Sequence, residues 1–138
     1  MGEAGIEMAT IGYSSPMTIN GFAPQLRTTD MAATIRFYTE NFGFTLDFSY
    51  EDFYAGLRLR NQTIHLKHVD EADPSIPYVD AGGHLHLYFE TEGVAELADE
   101  LKRKGVTIVK DVHETPWGTR ETVVYDNQGH TLYFGEAL

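Results

Sequence analysis

The sequence predicts an α+β fold made of two tandem β-α-β-β-β modules, whose mixed sheets curve around a ligand cleft. Two amphipathic helix patterns are each preceded by one extended segment and followed by three strand patterns. Each helix ends at a glycine that leads into alternating residues, and these glycines, Gly43 and Gly105, lie 62 residues apart. Strand patterns outnumber helix patterns, which argues against a doubly wound parallel sheet.

The first module begins with an extended segment at Phe22–Arg27, followed by a helix at about Asp30–Phe42. Thr29 or Asp30 is the expected N-cap, and Gly43 is the expected stop. The apolar stripe of this helix consists of Met31, Ile35, Tyr38 and Phe42. Three strand patterns then follow, at Thr45–Tyr50, Phe53–Arg58 and Thr63–His68.

The second module repeats this order, with an extended segment at His84–Phe89 and a helix at about Glu92–Lys104. Thr91 is the expected cap, and Gly105 ends the helix. The helical stripe consists of Val94, Leu97, Ala98 and Leu101. Strand patterns follow at Thr107–Val112, Thr119–Tyr125 and Thr131–Phe134.

These patterns predict one domain over residues 18–138, with module 1 at about 18–68, a linker at 69–82 and module 2 at about 83–138. The linker is rich in acidic residues and proline. Residues 1–17 are predicted to be an N-terminal arm. Apolar residues leave open the alternative that part of this arm packs as an extra strand: Ile6, Met8, Ile11 and Tyr13.

Composition excludes several classes of protein. The 138 residues include no cysteine, which excludes a disulfide scaffold, a thiolate zinc site and a cysteine nucleophile. The formal net charge of −11 disfavours nucleic acid and anionic membrane surfaces as partners, but it would not repel a cationic or neutral ligand. No apolar run is long enough to span a bilayer and the first residues do not resemble a signal peptide, so we expect a cytoplasmic protein.

Local motifs resemble those of the vicinal oxygen chelate superfamily, which includes glyoxalase I, extradiol dioxygenases and bleomycin-resistance proteins. The segments Arg27–Asp30 and Arg36–Phe44 resemble its first strand-to-helix signature. Three later segments are most similar to the bleomycin-resistance-like branch: Pro116–Glu121, Asp126–His130 and Phe134–Glu136. This branch implies a small-molecule ligand held in the cleft of a homodimer.

The resemblance also implies where a divalent metal would bind, because enzymes of the superfamily hold one with residues on four cleft strands. The last strand of module 1 gives His65, and the opening position of module 2 gives His84. The module 1 opening position falls on Ala23 or Phe22 and the final position on Tyr133, and none of these is a usual ligand. Gln25 is a possible substitute, whereas His86 is awkwardly spaced for a third ligand. We therefore expect no cofactor, or a weakly bound divalent metal.

Strand alternation gives the remaining candidates for the cleft. His65 shares a side with Lys67, and His84 shares one with His86 and Tyr88. Pairing across the turn at Asp126–Gly129 places Thr122, Val124 and Arg120 on the side of Tyr133. With a register shifted by one residue, Glu121 becomes a cleft carboxylate instead.

Three further groups have two interpretations each. Trp117 either stacks on a planar ligand or closes one end of the sheet. Arg27 and Arg120 either bind a carboxylate or other anion in the cleft or form surface ion pairs. The aromatic residues of the first hairpin fit ordinary core better than a pocket or a dimer interface: Phe48, Tyr50, Phe53 and Tyr54.

The preferred function is a sequestering protein that binds a small molecule without chemistry, as the resemblance to bleomycin-resistance proteins implies. An alternative is a divalent-metal-dependent glyoxalase-like lyase or isomerase, or a dioxygenase, in which His65 and His84 hold the metal with Gln25 or Glu121. A third is a metal-free enzyme that uses His84 or Tyr133 as acid or base.

Overall fold

The computed structural model describes residues 17–138, so all but the last residue of the predicted N-terminal arm lies outside the described part. Its elements are β1 (Gln25–Thr28), α1 (Met31–Phe42), β2 (Thr45–Tyr50), β3 (Tyr54–Leu59), β4 (Gln62–His68), α2 (Ser75–Ala81), β5 (Leu87–Glu90), α3 (Val94–Arg103), β6 (Ile108–Glu114), β7 (Thr119–Tyr125) and β8 (Thr131–Ala137).

The strands form two four-stranded mixed sheets. Sheet 1 has the order β1-β4-β3-β2, and sheet 2 has the order β5-β8-β7-β6. In each sheet the first strand pairs in parallel with the last strand of the same module, while the other pairs are antiparallel. This repeated topology confirms the predicted α+β fold of two tandem βαβββ modules.

The two long helices begin differently. Asp30 caps α1, because its side chain accepts a hydrogen bond from the amide of Ala33, and Gly43 ends that helix with a φ of 79°. The cap predicted at Thr91 for α3 is wrong, since Gly93 is the N-cap. The carboxylate of Glu136 on β8 accepts hydrogen bonds from the amides of Gly93 and Val94, which supplies the cap from another element.

A third helix, α2, occupies seven residues of the stretch predicted as a linker, and none of its residues is buried. Its amide at Gly82 and that of the following Gly83 bond back to α2 carbonyls, so the connector is locally ordered. Within residues 17–138, no helix has the length and apolar character needed to span a membrane.

One hydrophobic core joins the two modules through the faces that carry α1 and α3. Phe42 at the end of α1 contacts Phe89 and Phe134 of sheet 2, with ring centroids 6.0 and 5.2 Å away. The buried Tyr38 of α1 donates a 2.7 Å hydrogen bond to Asp126, which follows β7. The helix-bearing sides of both sheets are therefore covered within one chain.

Each sheet consequently has a second face that turns away from the shared core. We call these open face 1, defined by Gln25, Arg27, Phe48, Tyr54, His65 and Lys67, and open face 2, defined by Tyr88, Glu90, Glu121, Val123 and Tyr133. Among the described residues, no hydrogen bond or ring contact joins one open face to the other.

Candidate functional site

Open face 1 carries a hydrogen-bonded chain of three side chains. Gln25 on β1 and His65 on β4 are direct register partners, and Tyr54 lies on β3 beside them. The amide nitrogen of Gln25 donates to the hydroxyl of Tyr54 at 3.1 Å, and that hydroxyl lies 2.9 Å from Nδ1 of His65. Because Tyr54 then has one proton left to donate, His65 accepts at Nδ1 and carries its own proton at Nε2.

Aromatic rings border this chain. Phe48 on β2 stacks on Tyr54 at 6.3 Å between centroids and meets the ring of His65 edge to face at 5.5 Å. Phe48 fits because its register partner on β3 is Gly56, where a Cβ atom would lie 2.7 Å from the ring. The exposed fraction of Phe48 is nonetheless 42 %, so open face 1 presents aromatic surface to the outside.

Open face 2 is organised around a buried carboxylate. Glu121 on β7 has an exposed fraction of 4 %, and its Oε2 accepts hydrogen bonds from the hydroxyls of Tyr88 at 2.8 Å and Thr119 at 3.0 Å. The hydroxyl of Tyr88 reaches Glu121 across Gly135 of β8, in space that a Cβ atom at that position would fill.

Tyr88 is held in its neutral, donating form. Burial, together with the hydrogen bond and negative charge of Glu121 and the charge of Glu90, raises the pKa of Tyr88 to about 12. Its ring lies 6.3 Å from that of Tyr133, its register partner on β8. The two rings form a wall beside the carboxylate.

A depression of about 180 Å³ opens on the same face, between β6, β7 and β8. Glu121, Tyr133 and Trp117 line it together, and the exposed fraction of Trp117 is 73 %. Lys110, His113, Glu114 and Val123 complete most of its lining. The structure thus brings Trp117 to the edge of open face 2, beside a polar and aromatic surface.

Six predicted site residues are brought together in two groups. Gln25, Arg27 and His65 share open face 1, while Tyr88 and Tyr133 share open face 2 with Trp117 at its edge. The predicted opening position at Ala23 or Phe22 precedes β1, which starts at Gln25. Gln25 therefore occupies the strand position next to His65.

His84 and His86 lie outside these groups. His84 is exposed in the loop before β5, and its amide bonds to the carbonyl of Val79 in α2. His86 accepts at Nδ1 from the amide of Thr131 and has Ser75 of α2 as its partner at Nε2. Burial and the neighbouring His130 lower the pKa of His86, which favours a neutral residue that fixes the loop.

Arg120 also lies away from the open faces, because the predicted register of β7 against β8 is shifted by one residue. Val123, rather than Thr122 or Val124, pairs with Tyr133. Arg120 is therefore on the helix side, where it forms ion pairs with Glu114 at 3.3 Å and Glu136 at 3.5 Å. The same shift brings Glu121 to open face 2, as the alternative register required.

Four strand positions correspond to the metal-binding positions that the superfamily resemblance implies. They carry Gln25 and His65 on adjacent strands of sheet 1, and Tyr88 and Tyr133 on adjacent strands of sheet 2. Only His65 is a strong ligand, and its Nδ1 already has Tyr54 as partner. Within residues 17–138, no group of three or more His, Asp or Glu residues of one chain could hold a metal ion. This donor set does not fit a tightly bound catalytic metal.

Paired βαβββ modules with an open, partly aromatic face on each sheet define the class of the fold and its candidate site. The chain belongs to the Glyoxalase/Bleomycin resistance protein/Dioxygenase superfamily, whose family model matches residues 18–134. No curated protein matches the chain.

Solved structures share this fold at low sequence identity. UcmS2 superposes with a TM-score of 0.68 and 17 % identity, covering 86 % of this chain and 98 % of its own. TioX from Micromonospora sp. ML1 has a TM-score of 0.65 and 23 % identity, with 86 % and 100 % covered. A lactoylglutathione lyase from Agrobacterium tumefaciens has a TM-score of 0.66 and 17 % identity, with 86 % and 95 % covered. At these identities the likeness shows the fold alone.

Proposed function

We propose that the protein binds and sequesters a small molecule in the manner of the bleomycin-resistance-like branch, in clefts shared between two copies of the chain. The observation that carries this proposal is the pair of open faces. Each presents hydrogen-bonding groups framed by aromatic rings, and neither is covered within one chain. Such exposed apolar surface marks a binding or association site.

A second copy would complete the site because the two open faces have complementary charge. Arg27 and Lys67 are register partners on open face 1. Glu90 and Glu121 are both register partners of Gly135 on open face 2. Apposing open face 1 of one copy to open face 2 of the other brings basic groups opposite acidic groups, whereas apposing like faces does not.

The side chains at the four strand positions favour binding over metal-assisted chemistry. Two of the four are tyrosines, and Tyr88 is committed to donating its proton to Glu121. A single imidazole from His65 would hold a divalent ion only weakly. Rings and hydrogen-bonding groups at the same positions suit recognition of a planar organic molecule.

A complementation experiment tests the shared cleft. A diverse small-molecule library is first screened by thermal shift, and binding of the best ligand is then followed through Trp117, the only tryptophan. His65→Ala alters open face 1 and Tyr133→Ala alters open face 2, so both clefts of each variant homodimer carry one altered wall. Mixed dimers have one cleft with both changes and one with neither, and we expect half of the sites to recover wild-type affinity.

Two results would contradict the proposal. Mixed dimers that recover no binding would place the whole site within one chain, and a library without ligands would remove the binding function. Near-stoichiometric divalent metal in protein purified without chelator, lost in His65→Ala, would favour the lyase, isomerase or dioxygenase alternative instead.

A further inference from the structure

The two oxygens of Glu121 differ in their surroundings. Both hydrogen bonds to this carboxylate, from Tyr88 and Thr119, go to Oε2. Among the described residues, the buried side-chain polar atoms without a partner are Nε2 of His130 and Oγ1 of Thr131, so Oε1 of Glu121 is not sealed from solvent. Because Glu121 lines the depression next to Trp117, Oε1 opens into that depression.

From this geometry we infer that Glu121 anchors a protonated nitrogen of a planar aromatic ligand, whose ring system lies against Trp117 and Tyr133. The inference rests on the proposed binding function and names its ligand class. A carboxylate offers only acceptors, so its free oxygen requires a donor. A cationic donor makes a shorter and stronger hydrogen bond to it than a neutral one.

The surrounding groups make this anchor selective. Tyr88 and Thr119 fix the orientation of the carboxylate, since both donate to the same oxygen. The faces of Trp117 and Tyr133 attract a delocalised cation as well as offering apolar contact. Tyr88 acts as a positioning residue, because it holds Glu121 and would not itself bind the cation.

One positive group bears on this site. Lys110 lines the same depression, and no ion pair joins it to Glu121 among the described residues. Its charge therefore opposes a cationic ligand without neutralising the anchor. Removal of this charge should strengthen binding of a cation, in contrast to removal of the charge of Glu121.

The test compares two planar three-ring dyes of similar size, cationic proflavine and neutral acridone. Fluorescence polarisation of each dye is measured with the full-length protein in low and in 0.5 M salt. We expect wild-type protein to prefer proflavine. Glu121→Gln should weaken proflavine by about tenfold or more and leave acridone within twofold, because a hydrogen bond to a charged group is lost. Tyr88→Phe should give a smaller loss in the same direction.

Two variants control for the general acidity of the chain and for folding. Glu114→Gln changes the net charge by the same amount in the same depression, but Glu114 is exposed and paired with Arg120. It should leave proflavine binding within twofold. Lys110→Gln should tighten proflavine, and this variant keeps the inference testable if Glu121→Gln does not fold.

The outcomes separate the ligand class from the binding function. A proflavine preference that disappears in Glu121→Gln and persists in Glu114→Gln supports the inference. Equal affinity for the two dyes, equal losses in both variants, or no binding of either dye would overturn it. The library screen and the mixed dimers judge the binding function independently of this result.

Discussion

A few buried polar residues have more influence on this molecule than their number suggests. Asp126 accepts hydrogen bonds from Tyr38 of module 1 and from the amides of Gln128 and His130 in its own turn. Nδ1 of His130 lies 2.7 Å from the same carboxylate. One side chain thus connects α1 to the β7–β8 turn, so its ionisation affects how the modules are held together.

The protonation states in this group follow from burial and mutual contact. Burial opposes ionisation of Asp126, but His130 and Tyr38 outweigh it and hold the pKa of Asp126 below its usual value. Burial, with the charge and hydrogen bond of Asp126, raises the pKa of Tyr38 well above its usual value. Tyr38 therefore stays a donor and Asp126 stays an acceptor.

Tyr38→Phe should lower the free energy of unfolding by about 1–2 kcal/mol, because a buried carboxylate loses one of its donors. Urea unfolding at neutral pH measures this change. Tyr50→Phe is the matched control, since the exposed fraction of Tyr50 is 65 %, and it should change stability by less than about 0.5 kcal/mol. Equal effects of the two changes would show that the contact between Tyr38 and Asp126 contributes nothing.

The same contact predicts a pH dependence. A carboxyl whose pKa is depressed by folding stabilises the protein above its unfolded-state pKa of about 3.9. This contribution is lost as the pH falls through the folded-state pKa of Asp126. Tyr38→Phe removes a donor that lowers this pKa, so its stability should begin to fall at a higher pH than that of the wild type. Thermal unfolding between pH 2 and 6 would show the displacement, and superimposable curves would contradict it.

At the scale of the elements, a glycine on β3 decides what open face 1 presents. The ring of Phe48 occupies the space above Gly56, between the neighbouring β2 and β4. Because Phe48 is half-exposed, its ring can move aside when that space is filled, at modest cost to stability. The arrangement of Phe48 against His65 therefore depends on the absence of a side chain at position 56.

Gly56→Ala should displace Phe48 and weaken ligand binding by about tenfold while lowering the free energy of unfolding by only about 1 kcal/mol. Calorimetry with the ligand from the library screen and urea unfolding measure the two effects. Gly21→Ala is the control, because a Cβ atom there meets nothing within 4 Å, and both quantities should be unchanged. Unchanged affinity in Gly56→Ala would remove Phe48 from the site.

The sequence predicted the elements well because their signals are local. Helix periodicity, Gly43 and the alternation in β3 and β4 depend on neighbours within a few residues, and the structure has helices and strands there. Open face 1 followed directly, since His65 and Lys67 alternate with the buried Ile64 and Leu66. The prediction that the hairpin aromatics are ordinary core was less successful, because Phe48 is half-exposed on that face.

The register of sheet 2 depended on contacts that the sequence does not show. Asp126 and His130 pair through both backbone and side chains, which leaves a shorter turn than the predicted one and shifts β7 by a residue. Nothing in an Asp and a His four residues apart indicates that both are buried. Glu121 consequently entered the sequence analysis only as an alternative.

The opening strand of module 2 was misplaced for a related reason. The terminal glycines Gly43 and Gly105 lie 62 residues apart, but α1 starts at Met31 and α3 at Val94, 63 residues apart. A one-residue difference reverses the sides of a strand. Gln25 therefore corresponds to Tyr88, and His84 lies before β5 rather than on it.

At the scale of the whole molecule, the modules share their helix sides and leave both open faces for another chain. A dimer that apposes unlike open faces has two equivalent clefts related by a twofold axis. In such a dimer Arg27 and Glu90 occupy corresponding positions on facing strands, β1 of one copy and β5 of the other. The protein should therefore have twice the 15.5 kDa mass of one chain in light scattering.

A charge exchange between two variants tests which faces meet. Arg27→Glu places two acidic groups opposite each other in both clefts, and Glu90→Arg places two basic groups there, so each variant alone should dissociate about tenfold or more readily. Mixed together, they form a dimer in which one cleft has the wild-type pair and the other has the same pair exchanged. Sedimentation of the single and mixed samples should show dissociation in the first case and recovery in the second. Arg103→Glu on the exposed surface of α3 makes the same change of charge away from the open faces and should leave the dimer intact. Failure of the mixture to recover would mean that the open faces do not meet in this way, whereas a monomeric wild type would require the ligand to bind to one open face alone.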